Sequence, residues 1–199
     1  MIIEPTTLQG NYVRLEPLSQ GHHARLSEVG LDPDLWTWIP TNVSTPEQMR
    51  DYIEDALRLQ AAGTALPFAT IDAASGLAIG STRFGAIDTI NKRLEIGWTW
   101  ISRPWQRTPA NTEAKYLMLR HAFETLQANR VEFKTDSLNE QSRNAILRIG
   151  AKEEGIFRNH MVTSTGRIRH SVWFSIIDSE WAQVKRSLEE KLNSEYAPI

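Results

Sequence analysis

Apolar and polar residues alternate along several stretches of the chain, and this pattern predicts seven β-strands. In residues 11–18 the apolar Val13 and Leu15 are separated by charged residues, the period of two that is typical of a half-exposed strand. Similar alternation, or a dense run of β-branched and aromatic residues, predicts six more strands. They cover residues 66–72, 78–87, 93–101, 130–136, 154–163 and 168–177. The Ser-Thr-Gly sequence at 164–166 predicts that the last two form a hairpin.

A period near 3.6 residues predicts five helices. The clearest start signal belongs to the second helix, where Thr45 can cap, Pro46 suits the first helical position and Gln48 completes a capping box. Glycines mark three of the helix ends, and Asp178 is expected to cap the last helix. The predicted helices cover residues 22–30, 45–62, 112–129, 140–149 and 179–193.

The order of these elements predicts a mixed α/β fold (α+β) with a mostly antiparallel, seven-stranded sheet flanked by helices. Residues 93–136 form a strand–helix–strand unit, which predicts one parallel strand pair with a crossover helix. The length, without repeats or a break in composition, favours a single domain over residues 1–199. Its core is expected at residues 8–181, and the helix at 179–193 completes it.

The composition and charge of the chain exclude or disfavour several classes of function. The 22 basic and 24 acidic residues leave a net charge of −2, which argues against a nucleic-acid-binding surface. The absence of cysteine excludes disulfides, a thiolate nucleophile and cysteine-ligated zinc, and it suits a cytoplasmic protein. The five histidines lack metal-ligand spacing, so no metal is expected. The chain shows neither a secretory signal at its start nor an apolar run long enough to span a bilayer, so no membrane association is expected.

Two strand-to-helix junctions carry the candidate chemistry. Residues 105–111 follow the strand at 93–101 and precede a helix expected to open at Thr112, where unpaired N–H groups and the helix dipole suit a phosphate. Any strand-to-helix turn has this layout, so the junction alone is a weak indication. The second junction runs from Asn139 to Ser142 and opens the next helix; a plain helix cap by Asn139 explains it equally well.

Taken together, these junctions resemble the GNAT superfamily of acyl-CoA-dependent N-acyltransferases. The segments that carry the resemblance are LEIGWTWISRPWQ (94–106), NTEAKYLMLRHAFE (111–124), LNEQSRNAILRIGAKEEG (138–155) and FRNHMVTSTGRIRHSVWFSI (157–176). They are similar to the branch that acetylates the amino termini of ribosomal proteins, the RimJ/RimL-like branch. The resemblance extends over residues 8–181, and it implies a single-domain GNAT-like fold with acetyl-CoA as cosubstrate.

The resemblance assigns the pyrophosphate loop of the family, Gln/Arg-x-x-Gly-x-Gly/Ala, to residues 106–111. Gln106 matches this motif, whereas Pro109 and Asn111 replace the glycine and the small residue, and a further glycine common in the branch is Arg107 here. Pro109 removes one N–H donor, and a charged contact from Arg107 can offset this loss. Besides Gln106, the implied phosphate contacts come from Arg107, Thr108, Ala110, Asn111 and Thr112.

The resemblance also makes residues 93–101 the central strand, splayed from residues 130–136 so that the pantetheine arm of CoA fits between them. A backbone N–H of the central strand is then placed to polarise the thioester carbonyl. Asn139 matches the pantetheine-contacting asparagine of the family. The strand residues implied in contact with the arm are Thr99, Trp100 and Ile101.

Acetyl transfer to an amine needs a proton acceptor, because only the neutral amine attacks the thioester. Glu95, on the central strand, is the implied base; the alternative is an ion pair with Arg93 or with a neighbouring strand. Many relatives carry a tyrosine acid where this chain has Ile146, so Ser142 is the nearest hydroxyl, unless solvent protonates the thiolate. Glu113 is expected to stabilise the start of its helix through the dipole.

Trp36, Trp38 and Trp98 are expected to line an acceptor pocket, with plain core packing as the alternative. The expected activity is transfer of an acetyl group to a primary amine, either a polypeptide amino terminus or a small molecule, by direct attack in a ternary complex. The departures in the loop motivate a second hypothesis, a non-catalytic acyl-CoA-binding protein. A third, an RNA- or ribosome-associated factor, is disfavoured by the net charge unless basic residues such as Arg158, Arg167 and Arg169 cluster on one face. The tryptophan-rich surface and the late hairpin predict a homodimer.

Overall fold

The structure is a computed structural model that describes residues 1–194, and these residues form one sheet flanked by helices. The strands are β1 (Leu8–Gln9), β2 (Val13–Pro17), β3 (Leu66–Asp72), β4 (Ala78–Asp88), β5 (Arg93–Ile101), β6 (Arg130–Asp136), β7 (Lys152–Val162) and β8 (Ile168–Ile177). The α-helices are α1 (His23–Gly30), α2 (Pro46–Ala61), α3 (Pro109–Arg120), α4 (Glu140–Arg148) and α5 (Asp178–Ser194). The end of the predicted domain, residues 195–199, lies outside the described residues. No helix within residues 1–194 is long and apolar enough to cross a membrane.

The predicted strands and helices are confirmed, and one strand is added. The sheet has eight strands instead of seven because β1 pairs with β2, Leu8 opposite Leu15 and Gln9 opposite Arg14. A strand of two residues contains too few positions to show alternation. The periodicity of the sequence therefore could not reveal it.

The start of α3 differs from the prediction. The helix begins at Pro109 and not at Thr112, because Thr108 caps it: the Thr108 hydroxyl accepts from the N–H of Ala110 at 3.3 Å. Threonine followed by proline is a favourable pair at the cap and first position of a helix. At its other end α3 passes into a π-helical turn, His121–Thr125, so the helical stretch is also shorter than predicted.

The strand order is β1-β2-β3-β4-β5-β6-β8-β7, and the one parallel pair is β5–β6, as predicted. This parallel pairing is short, since it joins only residues 93–95 to residues 130–132. On one side of it β5 pairs with β4 along its length, and on the other β6 pairs with β8 over all seven of its residues. The sheet therefore has a seam of three residue pairs at its middle.

The two faces of the sheet are covered differently. Helices α3 and α5 bury the apolar residues of the central strands on one face, including Leu94, Val131 and Phe174. On the opposite face α1 and α2 contact β3 and β4. The remaining part of that face, formed by β5, β6 and β8, carries Glu95, Lys134 and Trp173, and we call it the open face.

Glu113 joins the beginning of the chain to α3. Its buried carboxylate accepts three backbone N–H bonds, from Asn11 at 2.8 Å, Tyr12 at 2.6 Å and Val13 at 2.8 Å. Because α3 starts earlier than predicted, Glu113 lies one turn into the helix. Its main contact is therefore the β1–β2 connection, whereas the sequence predicted an interaction with the helix start.

Candidate functional site

A gap opens between β5 and β6 immediately after Glu95. Beyond that residue β5 has no partner on the β6 side within residues 1–194. Trp98 bends the strand there: its φ is 50°, in the left-handed region, and β5 has an extra residue opposite β4 at this point. Such bulges redirect a strand and its side chains. The splay implied by the resemblance is therefore present.

The three strand residues predicted to contact pantetheine make different contacts within the protein. The Ile101 carbonyl accepts from the side-chain amide of Gln106 at 2.9 Å, so Gln106 supports the strand end. Trp100 is buried, with its ring 5.4 Å from that of Trp36. The Thr99 hydroxyl points to the α3 side, where it bonds with the Thr82 hydroxyl at 2.8 Å. The backbone of this strand edge is thus the part that faces the gap.

The loop before α3 presents N–H donors at the same edge of the sheet. Arg107 has a φ of 60°, which only glycine adopts without steric cost. The N–H groups of Arg107 and Thr108 have no hydrogen-bond partner in the described part of the chain. Successive N–H groups beside a left-handed residue form a concavity that suits an anion. The Ala110 N–H, in contrast, is used by the Thr108 cap.

The structure brings the two predicted junctions together. Strands β5 and β6 run parallel, so α3 and α4 both start at the edge where the gap opens. Arg148, the last residue of α4, donates to the hydroxyl of Thr112 in the first turn of α3 at 3.0 Å and links the end of α4 to the start of α3. Asn139 caps α4 by accepting from the Ser142 N–H at 3.0 Å, which is the plain interpretation of that motif. Ser142 therefore lies in the first turn of α4.

Glu95 is buried on the open face and paired with Lys134 of β6, with 2.7 Å between Oε2 and Nζ. This ion pair with the neighbouring strand is the alternative that the sequence left open, whereas Arg93 contacts Asp88 and Glu132. Burial raises the pKa of the Glu95 carboxyl, and the ammonium of Lys134 partly opposes that rise.

Aromatic rings surround the Lys134 ammonium. Its Nζ lies 5.8 Å from the ring centroid of Trp98 and 5.4 Å from that of Trp173. Phe157 stacks on Trp173 with 4.2 Å between centroids, and His160 meets Trp173 edge-on at 4.9 Å. Aromatic faces attract cations, so this cluster holds the lysine against Glu95.

A cavity of about 350 Å³ lies between the loop at residues 33–42 and the turn of the β7–β8 hairpin. Trp36 and Trp38, two of the three tryptophans expected in an acceptor pocket, both line it. Trp36 is also a core residue, with its indole N–H donating to the Gly30 carbonyl at 2.7 Å. Trp98 lies outside this cavity, on β5. The polar wall includes Asp136, Arg167 and Arg169.

Two buried basic residues escaped the sequence prediction. Lys115 of α3 is buried, and its Nζ donates to the Thr99 hydroxyl at 2.5 Å and to the Thr82 hydroxyl at 3.4 Å. Burial lowers the pKa of Lys115 to about 7. Its spacing of three from Met118 puts it within the apolar stripe of the helix, which is the signal that could have revealed it. The other is Arg83 of β4, which is 2% exposed.

No group of three or more histidine or acidic side chains within residues 1–194 is arranged to hold a metal ion. Two ion pairs join ionisable groups of the open face. Besides Glu95 and Lys134, Asp136 at the end of β6 pairs with Arg167 of the late hairpin.

Residues 13–152 match the sequence profile of the acetyltransferase (GNAT) domain. A Bacillus subtilis protein, YdaF, provisionally named a ribosomal N-acetyltransferase, is 34% identical over 95 residues, 48% of this chain and 51% of that protein. The chain thus spans about half the length of this relative. An uncharacterised N-acetyltransferase of Bacillus licheniformis, p20, is 28% identical over 76% of this chain and 84% of its own length.

Solved structures match over nearly the whole chain. The crystal structure of a GCN5-related N-acetyltransferase from Brucella melitensis is 36% identical, with a TM-score of 0.89. The match covers 97% of this chain and 88% of that one. The similarity therefore extends beyond the residues matched by the domain profile, to β1 at one end and to β8 and α5 at the other.

Proposed function

The chain belongs to the acetyltransferase (GNAT) family of N-acetyltransferases, and from that premise we propose that it transfers the acetyl group of acetyl-CoA to a primary amine. The observation that carries the proposal is the gap between β5 and β6, which opens beside the starts of α3 and α4. Acetyl-CoA would supply the acyl group as a thioester, whose thiolate is a good leaving group. The residues of the chain would bind and orient the two substrates and would accept or donate protons.

The loop before α3 fits the pyrophosphate of CoA. The unpartnered N–H groups of Arg107 and Thr108 are donors, the start of α3 is the positive end of the helix dipole, and the Arg107 side chain adds a charge. Pro109 occupies the first helical position, where the N–H has no partner within the helix in any case. The substitutions at the glycine positions therefore remove one N–H donor but keep the arrangement of the loop and the helix start.

The free edge of β5 fits the pantetheine arm. The Ile101 carbonyl is occupied by Gln106, so the backbone of Thr99 and Trp100 offers the remaining hydrogen-bonding groups of the strand end. Asn139 uses its side-chain oxygen for the helix cap, which leaves its amide nitrogen as a donor toward the gap. A backbone N–H near the bulge at Trp98 would stabilise the negative charge that develops on the thioester oxygen.

In this proposal Glu95 is the base. The acceptor ammonium first loses a proton to the Glu95 carboxylate, directly or through one water molecule. The amine nitrogen then attacks the thioester carbon, the C–N bond forms and the C–S bond breaks. The nitrogen, which is positively charged after the attack, releases its second proton to solvent. The thiolate takes a proton from solvent or from the hydroxyl of Ser142, which solvent then reprotonates. The raised pKa of Glu95 makes the carboxylate a better proton acceptor than an exposed one.

The proposed acceptor is the amino terminus of a polypeptide, with a small amine as the second candidate. The name of the relative YdaF supports a polypeptide. So does the cavity beside the late hairpin, where Trp38 is 37% exposed and offers an aromatic surface to an incoming chain. The α-amino group also has the lower pKa, about 7.7–8.0 against 10.4 for lysine, so it loses its proton more readily near neutral pH.

We also propose that the chain forms a homodimer through the β7–β8 hairpin. This hairpin exposes several apolar side chains, which is unusual for a monomer surface. They are Ile156, Phe157, Val162 and Ile168. Light scattering at micromolar concentration should give the mass of two chains, and the mass of one chain would contradict this proposal.

The proposed function is tested by CoA binding and by turnover. CoA should raise the melting temperature, because a ligand that binds only the folded state stabilises it. The Asn111→Asp variant, which places a negative charge beside the phosphates, should lose most of that shift, while the control Asn193→Asp at the end of α5 should keep it. Release of CoA from acetyl-CoA should then depend on added peptides or small amines. A thermal shift without turnover on any amine would identify a non-catalytic acyl-CoA binder, and no shift would refute the proposal.

A further inference from the structure

Arg83 is a buried cation without a counter-ion. It lies on β4, opposite Gly97 of β5, and is 2% exposed. Among residues 1–194 no carboxylate forms an ion pair with its guanidinium, and its buried Nε has no hydrogen-bond acceptor. Charged side chains are almost never fully buried unless they are paired. The free energy of burying this charge must therefore be offset by something other than a carboxylate of the described residues.

Aromatic rings pack against the guanidinium of Arg83, but they do not accept its N–H hydrogen bonds. Its carbon lies 5.0 Å from the ring centroid of Tyr52 and 5.1 Å from that of Trp98. Ring faces attract a cation, but they cannot accept the fork of N–H bonds that a guanidinium presents. Arg83 lies on β4 against Tyr52 of α2, and because Trp98 also contacts Lys134, Arg83 borders the open face that carries Glu95. A planar anion is the partner that this fork matches.

The open face has more positive than negative charge. Lys134 is neutralised by Glu95, and Arg167 by Asp136. Arg83 has no such partner, and the buried Arg169 donates only to neutral oxygens, the Ser171 hydroxyl at 2.9 Å and the Trp38 carbonyl at 3.4 Å. Arg169 forms no ion pair, but the nearby charges of Asp136 and Glu95 favour its charged form. Arg83 is thus left with no carboxylate in an ion pair within residues 1–194, beside the face where an acceptor would enter.

We propose that Arg83 binds a carboxylate of the acceptor, so that the enzyme acetylates amines that carry an acidic group close to the amine. This inference rests on the proposed transferase function and names its acceptor class. Glu95 lies two residue pairs along the ladder from Arg83, because Arg83 is opposite Gly97, Phe84 is opposite Ile96 and Gly85 is opposite Glu95. Diagonal neighbours of this kind are about 7–8 Å apart. An amine at Glu95 and a carboxylate at Arg83 therefore belong to the first two residues of a peptide.

The test compares amidated peptides that differ in one group, Ser-Asp-Ala-Ala and Ser-Asn-Ala-Ala. Wild-type protein should acetylate the acidic peptide with a KM at least tenfold lower. Arg83→Met, which keeps the apolar contacts with the two rings, should lose this preference by raising the KM of the acidic peptide, with the neutral peptide changed less than twofold. Arg158→Met, an exposed arginine of β7, should behave as wild type. A free-acid Ser-Ala dipeptide tests whether a terminal carboxylate serves equally.

A second measurement does not depend on turnover. The N-acetylated Ser-Asp-Ala-Ala amide should raise the melting temperature of the wild type but not of Arg83→Met, and the acetylated Ser-Asn peptide should raise neither. If this shift occurs while no amine is acetylated, the anion site stands and the proposed transferase function fails. Equal use of both peptides by the wild type would overturn the inference. So would a large fall in the melting temperature of Arg83→Met with equal loss of both activities, which would make Arg83 a structural support.

Discussion

Replacing Lys115 by methionine should stabilise the protein at neutral pH, although it removes a side chain that makes two hydrogen bonds. The ammonium has no carboxylate partner among the described residues, and burial lowers its pKa from 10.5 to about 7. That fall corresponds to about 5 kcal/mol of unfolding free energy. Losing the hydrogen bonds to Thr82 and Thr99 costs about 1 kcal/mol each. Because the two hydroxyls still bond to each other, we expect a net gain of about 3 kcal/mol at pH 7.

The sign of the pH dependence follows from the protons bound in each state. Between pH 7 and 10.5 the unfolded chain keeps a proton on Lys115 that the folded chain has released, so wild-type stability rises with pH in this window. The contribution of this one group has a slope of up to about 1.4 kcal/mol per pH unit. The advantage of Lys115→Met should therefore shrink steadily as the pH rises and disappear at about pH 9, above which the wild type should be the more stable protein.

Urea unfolding followed by tryptophan fluorescence at pH 7, 8, 9 and 10 measures this difference. All other titrating groups contribute equally to the unfolding free energies of variant and wild type, so their contributions cancel in the difference. Lys152→Met, on β7 with a side chain 73% exposed, is the matched control and should change stability little at any pH. If Lys115→Met is no more stable than wild type at pH 7 and the difference does not vary with pH, Lys115 stays charged in the folded protein. That result would show that the surroundings of Lys115 in the folded protein do not lower its pKa.

Three further predictions concern the site and its support. Glu95→Gln should lower kcat/KM by about 10²–10⁴-fold with CoA affinity nearly unchanged, and a loss below about threefold would make Glu95 purely structural. Arg107→Gly should raise the unfolding free energy by up to about 1 kcal/mol by relieving the left-handed backbone, while Arg107→Ala should not; both should weaken CoA binding in a titration. Glu113→Ala should destabilise the fold by about 3 kcal/mol, since three N–H groups lose their acceptor, and an unchanged melting temperature would show that water replaces it.

The sequence predicted the elements well where a pattern repeats within one segment. Elements such as β2 and α2 bury one face, so their apolar residues recur with a period of two or 3.6. Strands β3 and β4 are buried along most of their length, and their dense runs of apolar residues predicted them instead. The start of α3 was missed although its signal is present. Thr108-Pro109 has the same form as Thr45-Pro46, which correctly predicted the start of α2, but it stands where a glycine loop was expected.

The candidate site was predictable only in part, because its side chains meet through strand register. The gap and the two helix starts follow from the order of elements and from the resemblance to the family. The partner of Glu95 depends on how β5 aligns with β6, 39 positions along the chain at Lys134. Whether Arg83 has a carboxylate partner depends on the residues that all of its neighbouring strands place beside it. No local pattern contains that information, so a buried lysine or arginine among apolar residues is the most that the sequence shows.

The short seam between β5 and β6 also has a mechanical consequence. The half of the sheet that starts the chain and the half that ends it share only three backbone-paired positions, and the helices α3 and α5 bridge them on one side. A molecule lying in the gap would act as an extra strand segment that fastens the two halves. Occupancy of the gap should therefore slow amide hydrogen exchange in both β5 and β6 at once, and release of product should restore the faster exchange.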